Sequence, residues 1–149
     1  MILFLHADTT LPQGFAERIH HALADPAVAG GAFALRFAES GFALRLVEFG
    51  ARVRVALAGL PYGDQAIFVR RSVLERMGGV PQAAIMEDLD LVRGIKQSGR
   101  IALLSAPVTT SARRYRERGS LRTVARNAVA LLAWRLGIDR DRVAAWYRR

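Results

Sequence analysis

The chain has no cysteine. That excludes a disulfide framework, a zinc site built on thiolates and a cysteine nucleophile. It has almost no lysine: Lys96 stands alone, so nearly all of the positive charge is arginine. It lacks a hydrophobic run of membrane-spanning length. In the C-terminal quarter the longest run, Ala128–Trp134, falls far short of the ~20 residues that a spanning helix needs. Met1–Leu5 is apolar, but it has no basic leader and runs at once into His6 and Asp8, against the pattern of a signal peptide. Internal repeats and low-complexity stretches are absent as well. The basic end of the chain has a Trp-Tyr pair but no interleaved aromatic platform, which argues against nucleic acid as the partner.

What is present is the composition of one globular domain. There are 149 residues, 52% of them hydrophobic and 23% charged, enough for a single core and unlike a disordered chain. The net charge of +9 is concentrated: residues 113–149 hold 11 arginines and 3 acids. Such a tail suits anionic partners, meaning phosphates or an acidic membrane surface.

The patterning alternates strands and helices, which argues α/β. Met1–Leu5 reads as a short buried strand ending in the polar loop His6–Pro12. Gln13–Ala24 reads as a helix with Phe15, Ile19 and Leu23 on one face. From Gly30-Gly31 a strand alternates Phe33, Leu35 and Phe37 with Ala34 and Arg36. Phe42, Leu46, Phe49, Val53 and Leu57 form a helical stripe, with Glu48 and Arg52 as an i, i+4 pair beside it. A turning loop at Ala58–Gln65 leads to a strand at Ala66–Val69, and Ser72 caps a brief helix that stops at Gly78-Gly79. Glu87–Gln97 is predicted as a helix and Ile101–Ser105 as a buried strand. Ser111–Tyr115 is read as a basic loop, followed by helices over 120–136 and 139–147 capped by Ser120 and Asp139. On the first of these, Leu121, Val124, Ala128, Leu132 and Leu136 share a face that either packs on the domain or meets a membrane.

Three acidic sites fall at strand ends or helix starts, where open α/β sheets bind ligands. In Leu5-His6-Ala7-Asp8-Thr9 the strand can place two side chains toward a metal-bound phosphate; the plain alternative is that Asp8 starts a turn. In Tyr62-Gly63-Asp64-Gln65, Asp64 and Gln65 can hydrogen-bond a sugar hydroxyl or a base, or simply form an Asp-containing turn. In Met86-Glu87-Asp88-Leu89-Asp90, adjacent carboxylates repel, which raises one pKa and suits a general base. Acids in a first helical turn also serve ordinary dipole stabilisation. The run Ser111-Ala112-Arg113-Arg114-Tyr115 can clamp a diphosphate, or be a solvated charge run.

The motif order, a strand ending in LHAD, then GGAF, GDQ-x-x-FVRR, GGV-P, EDLDL and a closing SARRY, resembles family 2 glycosyltransferases of the GT-A fold. It is most similar to their small bacterial subgroup with an LFLHADT opening, and the resemblance covers essentially the whole chain. It implies a Rossmann-like mixed sheet flanked by helices. Residues 1–112 would be the catalytic and acceptor half, and 113–149 a basic helical extension packed on the same domain. The family's first βαβ half, which binds nucleobase and ribose, is expected to be missing, so that the chain is a fragment, takes that half in trans, or pairs as a homo-oligomer through the open edge of Ile2–Leu5.

The resemblance also implies roles. Asp8 matches the second acid of the family's metal-holding Asp-x-Asp motif, and His6 stands where the first acid usually is; Asp8 would hold Mg²⁺ or Mn²⁺ on the diphosphate. Glu87-Asp88 matches the pair that supplies the catalytic base, with Asp88 as that base. Asp64 and Gln65 would shape the sugar or acceptor pocket, and Arg113, Arg114 and Tyr115 would meet the phosphates. Ser111 and Tyr115 replace the glutamine and tryptophan of the family's Gln-x-x-Arg-Trp element. The implied activity is metal-dependent, inverting transfer of a sugar from a nucleotide-diphosphate sugar to an acceptor hydroxyl, in the cytoplasm or peripherally at the inner membrane. The rival expectation is a non-catalytic α/β scaffold whose arginine-rich tail binds an acidic partner or an anionic membrane surface.

Overall fold

A computed structural model describes residues 1–148, apart from the side chain of Arg118. It is a mixed α/β fold: a five-stranded sheet of order β1-β4-β3-β5-β2, with helices on both faces. The centre is the parallel pair β3 (Val28–Phe37) and β5 (Arg100–Thr110). Three two-residue strands join it antiparallel: β4 (Phe68–Val69) on β3, β1 (Ile2–Leu3) on β4, and β2 (Thr9–Thr10) on β5. The close packing of the central strands needs a missing side chain. A Cβ on Gly31 would lie 2.1 Å from the Ala102 carbonyl oxygen.

Strand alternation distributes the core. Phe68 joins Ile19, Phe33 and Val108 on the face covered by α1 (Phe15–Leu23), while its neighbours Ile67 and Val69 turn to the opposite face. There α3 (Arg71–Arg76) and α4 (Glu87–Ser98) pack, α4 burying Leu89, Val92 and Ile95 completely. Each such side chain contributes about 1.5–3 kcal/mol of burial. Leu131 and Trp134 of α6 (Ser120–Arg135) rest on the same cluster, and α7 (Arg140–Arg148) closes on α6 through Val143.

Several local expectations are corrected. The polar loop after the first strand contains β2, whose Thr9 hydroxyl donates to Thr110 Oγ1 at 3.0 Å, and β5 runs past Ser105 to Thr110. The basic run is a helix rather than a loop, α5 (Arg113–Arg118). Neither Ser72 nor Ser120 caps a helix, since both lie inside the first turn, behind Arg70 and Gly119. Asp139 does cap, accepting from Arg142 N–H at 2.9 Å. In α2 (Phe42–Ala58) the bulky stripe faces solvent. The helix seats on β3 through the narrower line Leu44, Ala51 and Val55, leaving Phe42 80% and Leu57 84% exposed. Glu48 is drawn off its expected partner and accepts the Phe37 N–H at 2.8 Å. The shared face of α6 is open too, Leu121 being 88% exposed, because that helix docks through Thr123, Ala130 and Ala133. Among the described residues no helix is long and apolar enough to cross a membrane.

Candidate functional site

A cleft of about 300 Å³ opens at one end of the sheet. His6 and Asp8 enter it from the segment between β1 and β2. Tyr62, Gly63 and Asp64 come from the turn before β4, which is a single 3₁₀ turn at Gly63–Gln65. Glu87 and Asp88 stand at the start of α4, and Arg113, Arg114 and Tyr115 at the start of α5. Chain segments more than 100 residues apart in sequence thus meet around one space, with Asp8, Asp64 and Asp88 all in its wall.

Asp88 is held by the backbone. Its Oδ2 accepts the Gly63 N–H at 2.7 Å, and its Oδ1 accepts the Leu89 N–H at 2.9 Å. Burial raises its carboxyl above the ordinary range. The two N–H donors pull it back, and the neighbouring Glu87 charge adds to the rise. A carboxylate has about four acceptor positions, so two stay open after these contacts. Gly63 has no room for a side chain: a Cβ would sit 2.7 Å from His6 Nε2 and 3.4 Å from Asp88 Oδ2. His6 and Asp88 therefore approach across the glycine from two distant parts of the chain.

Asp64 is the least satisfied group of the cleft. The residue as a whole is half-buried, but its Oδ1 is buried with no hydrogen-bond partner. Desolvation raises its carboxyl, against the pull of Arg54, His6 and Arg114. The Tyr115 phenol is also pushed up, to about 12, by burial and then by Asp64, and its ring meets Phe37 edge-on at 5.1 Å.

Gln65 does not line the cleft. It is 1% exposed, its Nε2 donates to Phe33 O at 3.0 Å, and its Oε1 accepts from Tyr62 N–H and Arg54 Nη2. The Phe33 carbonyl lies where β3 shifts register against β5, so the strand ladder is irregular there and a side-chain amide serves it. Gln65 thus fixes the turn that carries Asp64. Arg54 completes this support, its guanidinium lying 3.4 Å from the Tyr62 ring centre. Asp90, third acid of the α4 start, is likewise structural: it accepts from Trp134 Nε1 at 2.8 Å and pairs with Arg140 at 2.9 Å.

Tyr62, Thr123, Asn127 and Tyr147 also line the cleft, and sequence reasoning did not assign them. The last three come from α6 and α7, where nothing distinguishes them from other polar residues of amphipathic helices; Tyr147 is held by donating to Asn127 Oδ1 at 2.5 Å. Tyr62 had a usable signal, its place immediately before the Gly-Asp turn.

Among the described residues no group of three or more His, Asp or Glu side chains is placed to hold a metal ion unaided. The donor set fits a different case, a Mg²⁺ ion carried on phosphate, for which one or two carboxylates suffice and phosphate oxygens and water complete the shell. Two backbone positions flanking the acids are strained. Ala66 and Met86 adopt φ of 48° and 61°, values that residues with a side chain seldom take. One lies just after Asp64-Gln65 and the other just before Glu87-Asp88, and strain of this kind collects at functional sites. Compared with known proteins, the chain matches no family model, no curated protein and no solved structure.

Proposed function

We propose that the cleft transfers a sugar from a nucleotide-diphosphate sugar to an acceptor hydroxyl, with inversion, as the motif resemblance to family 2 glycosyltransferases implies. The observation that carries this reading is a single cleft combining a buried, oriented carboxylate, Asp88, with two arginines, Arg113 and Arg114, at a helix start. Asp88 accepts the proton of the acceptor hydroxyl. The acceptor oxygen then bonds to the anomeric carbon as the bond from that carbon to the diphosphate breaks, and the diphosphate departs with the electron pair. The Gly63 and Leu89 N–H groups aim the Asp88 carboxylate, and its raised pKa makes it a better base than a solvated aspartate. Arg113 and Arg114 oppose the charge that grows on the diphosphate. Asp8, exposed in the cleft wall, is the carboxylate suited to Mg²⁺ or Mn²⁺ on that diphosphate, where a bound ion would neutralise leaving-group charge.

Calorimetric titration of UDP and of GDP with Mn²⁺ tests the reading. Metal-dependent binding that is lost in Asp8→Ala is the expected result. Absence of nucleotide binding, together with salt-sensitive binding to anionic vesicles, would favour the scaffold instead.

A further inference from the structure

A second cavity, of about 450 Å³, lies between α2 and α6, within the ~300–1,000 Å³ range of small-molecule sites. Its walls are mostly apolar, with Val47 and Ala51 on α2, Val124 and Ala128 on α6, and Leu35 of β3 among them. Tyr62, Asp64, Tyr115 and Asn127 line both this groove and the cleft, so the two spaces share a wall. Asp64, half-buried, stands in that wall.

From this juxtaposition we propose that the groove holds the single apolar chain of an amphiphilic acceptor whose hydroxyl-bearing head reaches Asp64 and the cleft. The proposal rests on the transferase reading and names its acceptor class. A wall that carries phenol, carboxyl and amide groups beside an apolar groove fits a ligand with an O–H at one end and hydrocarbon behind it. The helix itself keeps the space open. Gly50 lines the groove in the middle of α2, where glycine is the poorest helix former after proline. No packing contact demands it, since a Cβ there would meet nothing within 4 Å, and its φ is not positive. Any larger residue at position 50 would put atoms into the groove. Chain access is supported by the groove rim, where Leu46 and Leu121 are 55% and 88% exposed, and Phe49 beside them 63%.

The test uses alkyl and isoprenoid glycosides below their micelle concentrations. Octyl glucoside carries an alkyl chain, geranyl glucoside an isoprenoid one, and methyl glucoside the same head with no chain. Titration into the full chain is expected to show at least ten-fold tighter binding of one or both chain-bearing probes than of methyl glucoside, and the better of the two names the chain type. Gly50→Leu is expected to abolish that advantage while UDP–Mn²⁺ binding and thermal stability hold, because leucine is the better helix former. Ala128→Leu, from the opposite wall, is the second variant. If the chain adds less than two-fold, or if both filled variants keep the full advantage, the groove proposal is overturned. The nucleotide titration reports separately. UDP binding without a chain effect removes only the groove, and a chain effect without UDP binding removes the transferase reading and leaves the groove as a binding site.

Discussion

Replacing Asp64 by asparagine is expected to stabilise the protein at neutral pH and to have no such effect in acid. The carboxyl is desolvated and its Oδ1 has no partner. Arg54, His6 and Arg114 attract the charge, yet burial outweighs all three and lifts the group above its ordinary value of 3.8. A buried acceptor without a partner costs about 1–3 kcal/mol. The amide removes the charge but keeps polar atoms in the same place, so the lower end applies, about 1 kcal/mol at pH 7. In a chain of this length that corresponds to roughly 2–4 °C in Tm. The folded protein holds the Asp64 proton to a higher pH than the unfolded chain does. The penalty is therefore absent below the unfolded pKa and appears as pH rises through the folded one. The advantage of asparagine should shrink as pH falls toward the unfolded value near 4 and vanish about a unit below it. Urea denaturation of wild type and variant at pH 7 and near pH 3 measures both terms. A variant that is less stable at pH 7, or more stable by the same amount at both pH values, would refute the assignment of Asp64 as a charge held against desolvation.

Three further outcomes are expected. Asp88→Asn should retain UDP–Mn²⁺ binding by calorimetry and lose at least ~100-fold in transfer rate, the usual scale of a general base; turnover at the parent rate would move the base to Glu87 or to water. Gly63→Ala should drive His6 and Asp88 apart, since its Cβ would intrude to 2.7 Å of His6 Nε2; an unchanged His6 signal in proton NMR would show that the histidine has room to give way. Arg140→Met should cost about 1–3 kcal/mol in urea melts, because Asp90 keeps only the Trp134 N–H once its ion pair is lost; a cost below about 0.5 kcal/mol would mean that water replaces the guanidinium.

The parts legible in the sequence were those set by local chemistry. The alternation of Phe33, Leu35 and Phe37 and the spacing of Phe15, Ile19 and Leu23 each matched the buried face of their element. The acids of the site were visible because each lies in a turn that leads into a strand or at the start of a helix. Gln65 was misassigned, since its task is to serve a carbonyl at a register shift, and no one-dimensional pattern marks where two strands slip past each other. The stripe on α2 misled for a related reason. Periodicity identifies an apolar face but not what covers it, and the residues that α2 buries are Leu44, Ala51 and Val55. Arg126, one of the arginines that make the tail basic, lies over the Trp146 and Tyr147 rings, with its guanidinium donating to their carbonyls.

The segment that carries His6 and Asp8 joins opposite edges of the sheet. Leu3 is level with Gly31 of β3 from two strands away on one side, and Thr9 is level with Phe37 from two strands away on the other. On a flat sheet the lateral separation alone is about 19 Å, and the offset along the strands is about 20 Å. The chain from Leu3 to Thr9 reaches at most about 22 Å when fully extended, and the Thr9 N–H bonded to His6 O at 3.1 Å shortens it further. The sheet must therefore curl until its edges approach, and this short tether fixes how far they can part. Its length is then a tuning parameter of the cleft. A residue added between Ala7 and Asp8 slackens the tether at little entropic cost. A residue removed has to be taken from the His6–Thr9 turn, which opens and moves His6 and Asp8 relative to the rest of the cleft.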